Sequence, residues 1–425
     1  MSETTSKKTS LYDWHVQSGA QMGVFGGYAM PLWYPTGVKH EHLSVLLNAG
    51  LFDTSHMAAV AVGGAGAFEL LQRCFSKNLS ACQGAGNGPL TAGRSVYGVF
   101  LNPSGHVIDD AIVFRLADTE FLVVVNAGMG ASIAAHLADH AGGLEARIDD
   151  LTDRVGKIDI QGPKAAKVLN RILRDPATVF EKLSYFSFKG HFDPASPGSQ
   201  AVTLADGTPV LLSRTGYTGE FGFEVFVAAA SLQRLWERVL TAGRDLHLTP
   251  CGLAARDSLR TGAVLPLSHQ DIGAWPFANN PWLIALPFDA DQTGFTKTFI
   301  GSEALLGLAD AEYTYPFVGS DPRKVSVDDP ATVMDLEAQT IGKVLTCTTD
   351  MGIGRLGERI YSVASSDKPA GFEPKGLSCG FVKVKRRLNP GDRIDIRDRR
   401  RSIRVAIVTD IRPDRTARRP INAMI

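Results

Sequence analysis

Cysteine is scarce in this chain of 425 residues: Cys74, Cys82, Cys251, Cys347 and Cys379 are five in all, far apart and odd in number. No Cys-x-x-Cys pair occurs, which argues against a disulfide framework and against the paired-cysteine zinc motifs. The five read as small hydrophobes of a reducing compartment. Among the ten histidines, His40 and His42 lack the i, i+4 spacing of a helical zinc pair, so no metal site is expected. His56 reads as structural. Charge of one sign is also missing. Lys plus Arg and Asp plus Glu number 44 each, which removes the bulk case for nucleic acid or an anionic membrane. The basic runs Arg386-Arg387 and Arg399-Arg400-Arg401 then read as a solvated strand-turn face. No apolar run approaches the roughly eighteen residues needed to span a bilayer. The polar start, Met1 to Ser10, has no apolar signal core, so a cytoplasmic location is expected. Phosphate-loop, nucleophile-elbow and metalloprotease motifs are absent. The stretch from Val60 to Glu69 imitates a dinucleotide turn, but Glu69 stands where a third glycine is required and would repel a pyrophosphate.

What is present is an ordinary globular composition, 44% apolar and 21% charged, with material for two or three domains. Its most informative stretch is Leu101 to Phe114. Asn102-Pro103-Ser104-Gly105 is turn chemistry. The flanking runs, Ser95 to Leu101 and Val107 to Leu116, are β-branched and aromatic, so a hairpin is expected. Asp109 and Asp110 sit inside the apolar second run. Adjacent strand side chains point to opposite faces, and a buried carboxylate is costly unless paired or used. Arg94 to Asn126 reads as a three-stranded meander. Helices are expected at Ala67 to Leu79, Ala131 to His140, Ser231 to Leu246 (capped by Ser231) and Gly252 to Arg260. Strands and helices do not alternate regularly, so the fold class is α+β, with antiparallel sheets flanked by helices. Tyr313 to Pro316 and Val325 to Pro330 look loop-like or edge-like. Beyond them, short strands at Ile341 to Thr348, Gly376 to Val384, Asp392 to Arg397 and Ile403 to Ile411 suggest a small β-barrel. The expected division is 1–304, a junction at 305–340, and a barrel at 341–425.

Ordered over about three hundred residues, further motifs accompany the aspartates. They are Leu11-Tyr12-Asp13-Trp14-His15, Met30-Pro31-Leu32-Trp33-Tyr34, Leu51 to Met57, Val124-Val125-Asn126-Ala127, Gln161-Gly162-Pro163, Arg214 to Val225, Gly252 to Arg260, Leu265-Pro266-Leu267 and Phe299-Ile300-Gly301. Together they resemble the T-protein of the glycine cleavage system, a tetrahydrofolate-dependent aminomethyltransferase family. The resemblance implies a folate-binding region in front of a β-barrel. The implied reaction passes an aminomethyl group from the lipoyl arm of a carrier protein (H-protein-like) to tetrahydrofolate, releasing ammonia. It implies Asp110 as the catalytic carboxylate beside the reactive folate nitrogen, with Asp109 serving the turn or the opposite face. Glu224 would bind the pterin in bidentate fashion, Arg256 would be a folate-binding arginine, and Tyr217 would pack on the cofactor. Tyr97 and Asn126, on the neighbouring meander strands, would converge on the same site, with Met57 and Trp282 completing the pocket.

The chain departs from the family pattern in places. Leu267-Ser268-His269-Gln270-Asp271 stands where the family shows Leu-Tyr-Gly-His-Asp. Pro276-Phe277-Ala278-Asn279-Asn280-Pro281-Trp282 replaces a run carrying a carboxylate. The tyrosine expected near Arg418-Arg419-Pro420-Ile421-Asn422 is missing. Two other readings follow: a tetrahydrofolate-dependent demethylase of a small methylated molecule, and a non-enzymatic folate-binding protein assisting iron–sulfur assembly. The latter's signature is not matched at Lys375-Gly376-Leu377-Ser378-Cys379-Gly380.

Overall fold

Alternation of apolar residues along each strand decides which face it buries, and here it builds two sheets that face each other. The computed structural model describes residues 6–84, 88–308, 311–328 and 330–425. The first sheet has five strands in the order Arg94–Leu101, Val107–Ala117, Glu120–Val125, Ala58–Gly63 and Arg147–Asp150, all antiparallel. The expected hairpin and meander form its first three strands. Val60, Val62, Val113 and Val123 turn to one side, under the helices Ala67–Cys74 and Gly130–Asp139. The first helix is shorter than its periodicity predicts. Phe75 goes extended and bridges to Phe100 on the sheet, ending the helix at Cys74.

The second sheet has six strands in the order Phe188–Gly190, Leu211–Ser213, Gly222–Ala228, Val155–Gln161, Ala49–Asp53 and Leu248–Cys251. Only the last pair is parallel. Ile158, Ile160, Phe223, Val225 and Val227 pack against Leu232, Leu235, Trp236 and Val239 of the helix Leu232–Gly243. Ser231 holds the N-cap position of that helix but makes no side-chain cap bond, because a 3₁₀ turn, Ala229–Ser231, leads directly into it. Between the sheets, Ala59, Phe114, Leu122 and Val124 meet Val155, Phe188, Leu211 and Phe226. The result is two antiparallel sheets with helices outside them.

A closed barrel follows, ordered Tyr313–Gly319, Leu377–Val384, Thr340–Asp350, Thr332–Met334, Arg393–Arg397 and Ser402–Ile407. The four later strands overlap those the sequence predicts, the last ending at Ile407 and not reaching Ile411. The segment around Pro316, expected to be loop-like or edge-like, is instead an internal barrel strand. Pairing to Ser402–Ile407 begins only at Phe317, and the Pro316 carbonyl accepts from the Val408 N–H at 3.0 Å. The missing proline N–H therefore leaves no gap in the ladder. No helix among the described residues is long and apolar enough to cross a membrane.

Candidate active site

Strand alternation places the functional side chains on the inner faces. In Val107–Ala117, Ile112 and Phe114 turn toward the second sheet, and Asp110 shares their parity. Tyr97 pairs with Ile112 on the neighbouring strand. In Gly222–Ala228, Glu224 shares the side of Phe226, and in Val155–Gln161, Lys157, Asp159 and Gln161 alternate with the buried Ile158 and Ile160. Polar groups of both sheets thus meet in one cleft.

At its first-sheet wall, Tyr97 Oη donates to Asp110 Oδ2 at 2.9 Å, and Asn126 Nδ2 donates to Asp110 Oδ1 at 2.6 Å. The same amide reaches Asp109 Oδ1 at 2.7 Å, and the Asn126 backbone N–H gives Asp109 Oδ2 a bond of 2.9 Å. Asp110 is half-buried, whereas Asp109 is 0% exposed. Of the two places the sequence offered Asp109, it takes the opposite face, with the parity of Ala111 and Val113, and not the turn. Asn102 serves the turn, its Oδ1 accepting from the Ser104 and His106 N–H groups. Asp109 instead anchors the segment after Pro266, where Ser268 Oγ donates to its Oδ1 at 2.7 Å and His269 Nε2 lies 3.6 Å away. Burial, and then the neighbouring Asp109 charge, push the Asp110 carboxyl up to about 7, against the pull of Asn126 and Tyr97. Burial also raises Asp109. Burial and the Asp110 charge raise the Tyr97 phenol, so it remains a donor.

The second-sheet wall is an ion-pair chain. Lys157 Nζ lies 2.6 Å from both Glu224 Oε1 and Asp159 Oδ1, and Arg256 Nη1 is 2.7 Å from Asp159 Oδ2. Thr215 donates to Glu224 Oε2, and Thr54 to Asp159 Oδ1 at 2.9 Å. Burial would raise Asp159, but Lys157 and Arg256 outweigh it and hold its carboxyl at about 2. The Arg256 guanidinium lies 4.9 Å from the centre of the Tyr217 ring, and Tyr217 Oη donates to the Pro266 carbonyl. Tyr217 lies within electrostatic reach of Asp110 and Arg256 alike, and so joins the two walls.

The motifs hold one another in place. Gln161 Nε2 donates to the carbonyls of Thr215 and Phe223, and Thr218 Oγ1 donates to Gln161 Oε1. That fixes the glycine-punctuated turn carrying Tyr217. Arg214 clamps the same turn to the C-terminal tail through the Gly222, Ala417 and Arg419 carbonyls. Asp53 caps the Ser55 N–H at 2.9 Å, and the Met57 N–H closes a turn on the Thr54 carbonyl; Met57, like Ile112, packs against the apolar layer between the sheets.

Trp282 belongs to a buried cluster against which Tyr97 also packs. It is 4% exposed, its indole N–H donates to the Val264 carbonyl at 2.9 Å, and its ring meets Phe381 of the barrel edge-on. The amides of the altered segment serve local structure. Asn280 Oδ1 caps the Trp282 N–H, and Asn279 Nδ2 reaches the Ala311 carbonyl.

Four residues of the cleft escaped the sequence reading: Lys157, Asp159, Ser268 and His269. Lys157 and Asp159 were legible in principle, because two charges two apart in an otherwise apolar strand share one buried face. His269 occupies the position of the family's glycine, and its φ of 64° explains why glycine suits that place.

A family model described as the GCVT N-terminal domain matches residues 11–275. Aminomethyltransferases of Bacillus mycoides and Bacillus cereus are each 34% identical over 268 residues, spanning 63% of this chain and 67% of theirs. The crystal structure of glycine cleavage system aminomethyltransferase T from Bartonella henselae aligns with a TM-score of 0.72 at 28% identity, covering 95% of this chain and 96% of that one. A match over the whole sheet region, joined to an aligned barrel, places this chain in the aminomethyltransferase family, a family of one-carbon-transferring transferases.

Proposed function

We propose that the cleft passes an aminomethyl group from a lipoylated carrier protein to tetrahydrofolate. The observation that carries this reading is the half-buried Asp110, its carboxyl near 7, held by Tyr97 and Asn126. Such a group exchanges a proton readily at neutral pH, which is what general acid–base work requires.

The residues present fit a reduced folate. Each Asp110 oxygen accepts a single hydrogen bond from the described residues, so acceptor capacity remains toward the cleft. His56 Nδ1 is buried without a hydrogen-bond partner among the described residues, within electrostatic reach of Asp53, Arg256, Lys157 and Asp159. Tetrahydrofolate supplies the nitrogens that take up the one-carbon unit. Asp110 holds or accepts a proton at its free lone pairs, while Tyr97 and Asn126 fix the carboxylate plane. Glu224 retains acceptor sites beside Lys157 and Thr215 for the pterin edge. Arg256, paired to Asp159 and stacked on Tyr217, presents a fixed cation to the carbonyl-rich or anionic part of the ligand. Tyr217 and Met57 supply apolar surface that keeps water from the reacting atoms.

Anaerobic calorimetry with tetrahydrofolate, followed by steady-state rates with aminomethylated carrier protein, tests the reading. Saturable binding and turnover on the order of 1 per second or faster are expected. Absence of saturable folate binding overturns it. Binding with no turnover on the carrier overturns the donor assignment.

A further inference from the structure

Away from the cleft, on the helical side of the first sheet, three side chains that take no part in the chemistry above converge. Cys74 ends the helix Ala67–Cys74, and His136 and His140 lie four residues apart at the end of the helix Gly130–Asp139. One donor atom from each lies within 4.8 Å of the other two. Residues at i and i+4 on a helix share a face, and here the two imidazoles sit 4.7 Å apart between ring centres. His136 Nε2 is buried with no hydrogen-bond partner among the described residues, and a buried orphan of this kind calls for an explanation. His140 Nδ1 is 2.8 Å from the His136 carbonyl. A carbonyl only accepts, so Nδ1 carries the proton and Nε2 presents a bare lone pair. This is the arrangement that metal-bound histidines use to fix their tautomer.

We propose that Cys74, His136 and His140 form a zinc site clamping the two helices that cover the first sheet. A thiolate and two imidazoles match the preference of Zn²⁺ for sulfur and nitrogen, with water completing a tetrahedron. Ligand atoms around such an ion lie about 3.5 Å apart, given metal–ligand bonds of about 2.0 to 2.3 Å. The three groups therefore need to close by no more than about an ångström on binding. The thiol proton passes to solvent as the Zn–S bond forms, with no change in oxidation state. The surroundings hold the ligands in place: Arg73 Nη1 donates to the His140 carbonyl at 2.9 Å, and the Phe100 ring meets His136 edge-on. Paired-cysteine motifs, the strongest sequence sign of a zinc site, are absent. The His136-x-x-x-His140 spacing was the available signal, and its cysteine partner comes from a different helix.

Co²⁺ titration of tag-free, full-length protein, stripped with chelator and then dialysed, tests the site. One equivalent per chain is expected to give a thiolate-to-cobalt charge-transfer band with tetrahedral d–d bands, both displaced by Zn²⁺. Cys74→Ser is expected to remove the charge-transfer band. His140→Asn, at a half-buried position, is expected to weaken Co²⁺ binding at least about tenfold, as disturbed metal sites do. A wild-type protein without the band overturns the proposal, as does a band that survives in Cys74→Ser. Should Cys74→Ser fail to fold, His140→Asn decides: a titration equal to that of wild type overturns the site.

Discussion

At the scale of single residues, Asp110 is expected to set the pH dependence of turnover. Asp110→Asn keeps the shape of the side chain but offers one acceptor oxygen where Tyr97 and Asn126 used two, and it cannot take a proton, so kcat is expected to fall by about 10² to 10⁴ with folate affinity largely kept. If the ionised form is the working base, the wild-type kcat/KM rises through about pH 7. Asn126 and Tyr97 lower the Asp110 value and the Asp109 charge raises it. Tyr97→Phe should therefore move that limb upward in pH, and Asp109→Asn should move it downward. A pH-rate profile of each variant checks both directions; limbs moving the opposite way would remove Asp110 from the role. Stability follows the same sign. A carboxyl raised in the fold contributes stability fully present below its ordinary value near 3.8, and that contribution is lost as pH rises through about 7. Asp110→Asn is accordingly expected to melt above wild type at pH 8, with the gap closing toward pH 4.

Elements were legible where their partners are close in sequence. The Asn102 to Gly105 turn joins neighbouring strands, and its residue types select it, so the hairpin and meander could be read directly. The six-stranded sheet was not legible, since Gly222–Ala228 meets Val155–Gln161 and the latter meets Ala49–Asp53 across long separations that no local pattern reports. The same holds for the site. Asp110, Tyr97 and Asn126 lie on one meander and could be grouped, whereas Lys157 joins Glu224 only because two distant strands pair in register. Gly222 shows how tight that pairing is. A β-carbon there would lie 2.6 Å from the Ile160 carbonyl oxygen and from the Gln161 side chain. Backbone cannot yield as a side-chain tip can, so Gly222→Ala is expected to destabilise by about 1 to 3 kcal/mol. It should also weaken folate binding, because Gln161 holds the turn that carries Tyr217. Chemical denaturation beside folate titration reads both effects, and a variant as stable as wild type would show that the strands can part there.

At the scale of the whole molecule, one buried arginine joins barrel, tail and sheet region. Arg412 Nη1 pairs with Asp350 Oδ2 at 2.6 Å, and Arg412 Nε pairs with Glu220 Oε1 at 3.2 Å; its remaining nitrogen donates to the Thr218 and Leu259 carbonyls. Asp350 ends the barrel strand Thr340–Asp350 and accepts from His42 Nε2 at 2.9 Å, while His42 Nδ1 reaches Ser258 Oγ at 2.7 Å. Burial would raise Asp350, but Arg412 and then His42 hold its carboxyl well below the usual range. This contribution to stability is present above the ordinary carboxylate value and is lost as pH falls below it. Removing the cation leaves two carboxylates buried without their partner, a loss of about 3 to 5 kcal/mol. Arg412→Met, which keeps much of the volume, is therefore expected to lower the melting temperature strongly at pH 7. Adding Asp350→Asn and Glu220→Gln should recover part of the loss. The single variant should also bind folate more weakly, because Glu220 and Thr218 belong to the turn that presents Tyr217 to the cleft. Calorimetric melting of the single and triple variants decides the matter: an Arg412→Met protein within about 1 kcal/mol of wild type, the ordinary range of an exposed ion pair, would show that barrel and sheets are held together without this arginine.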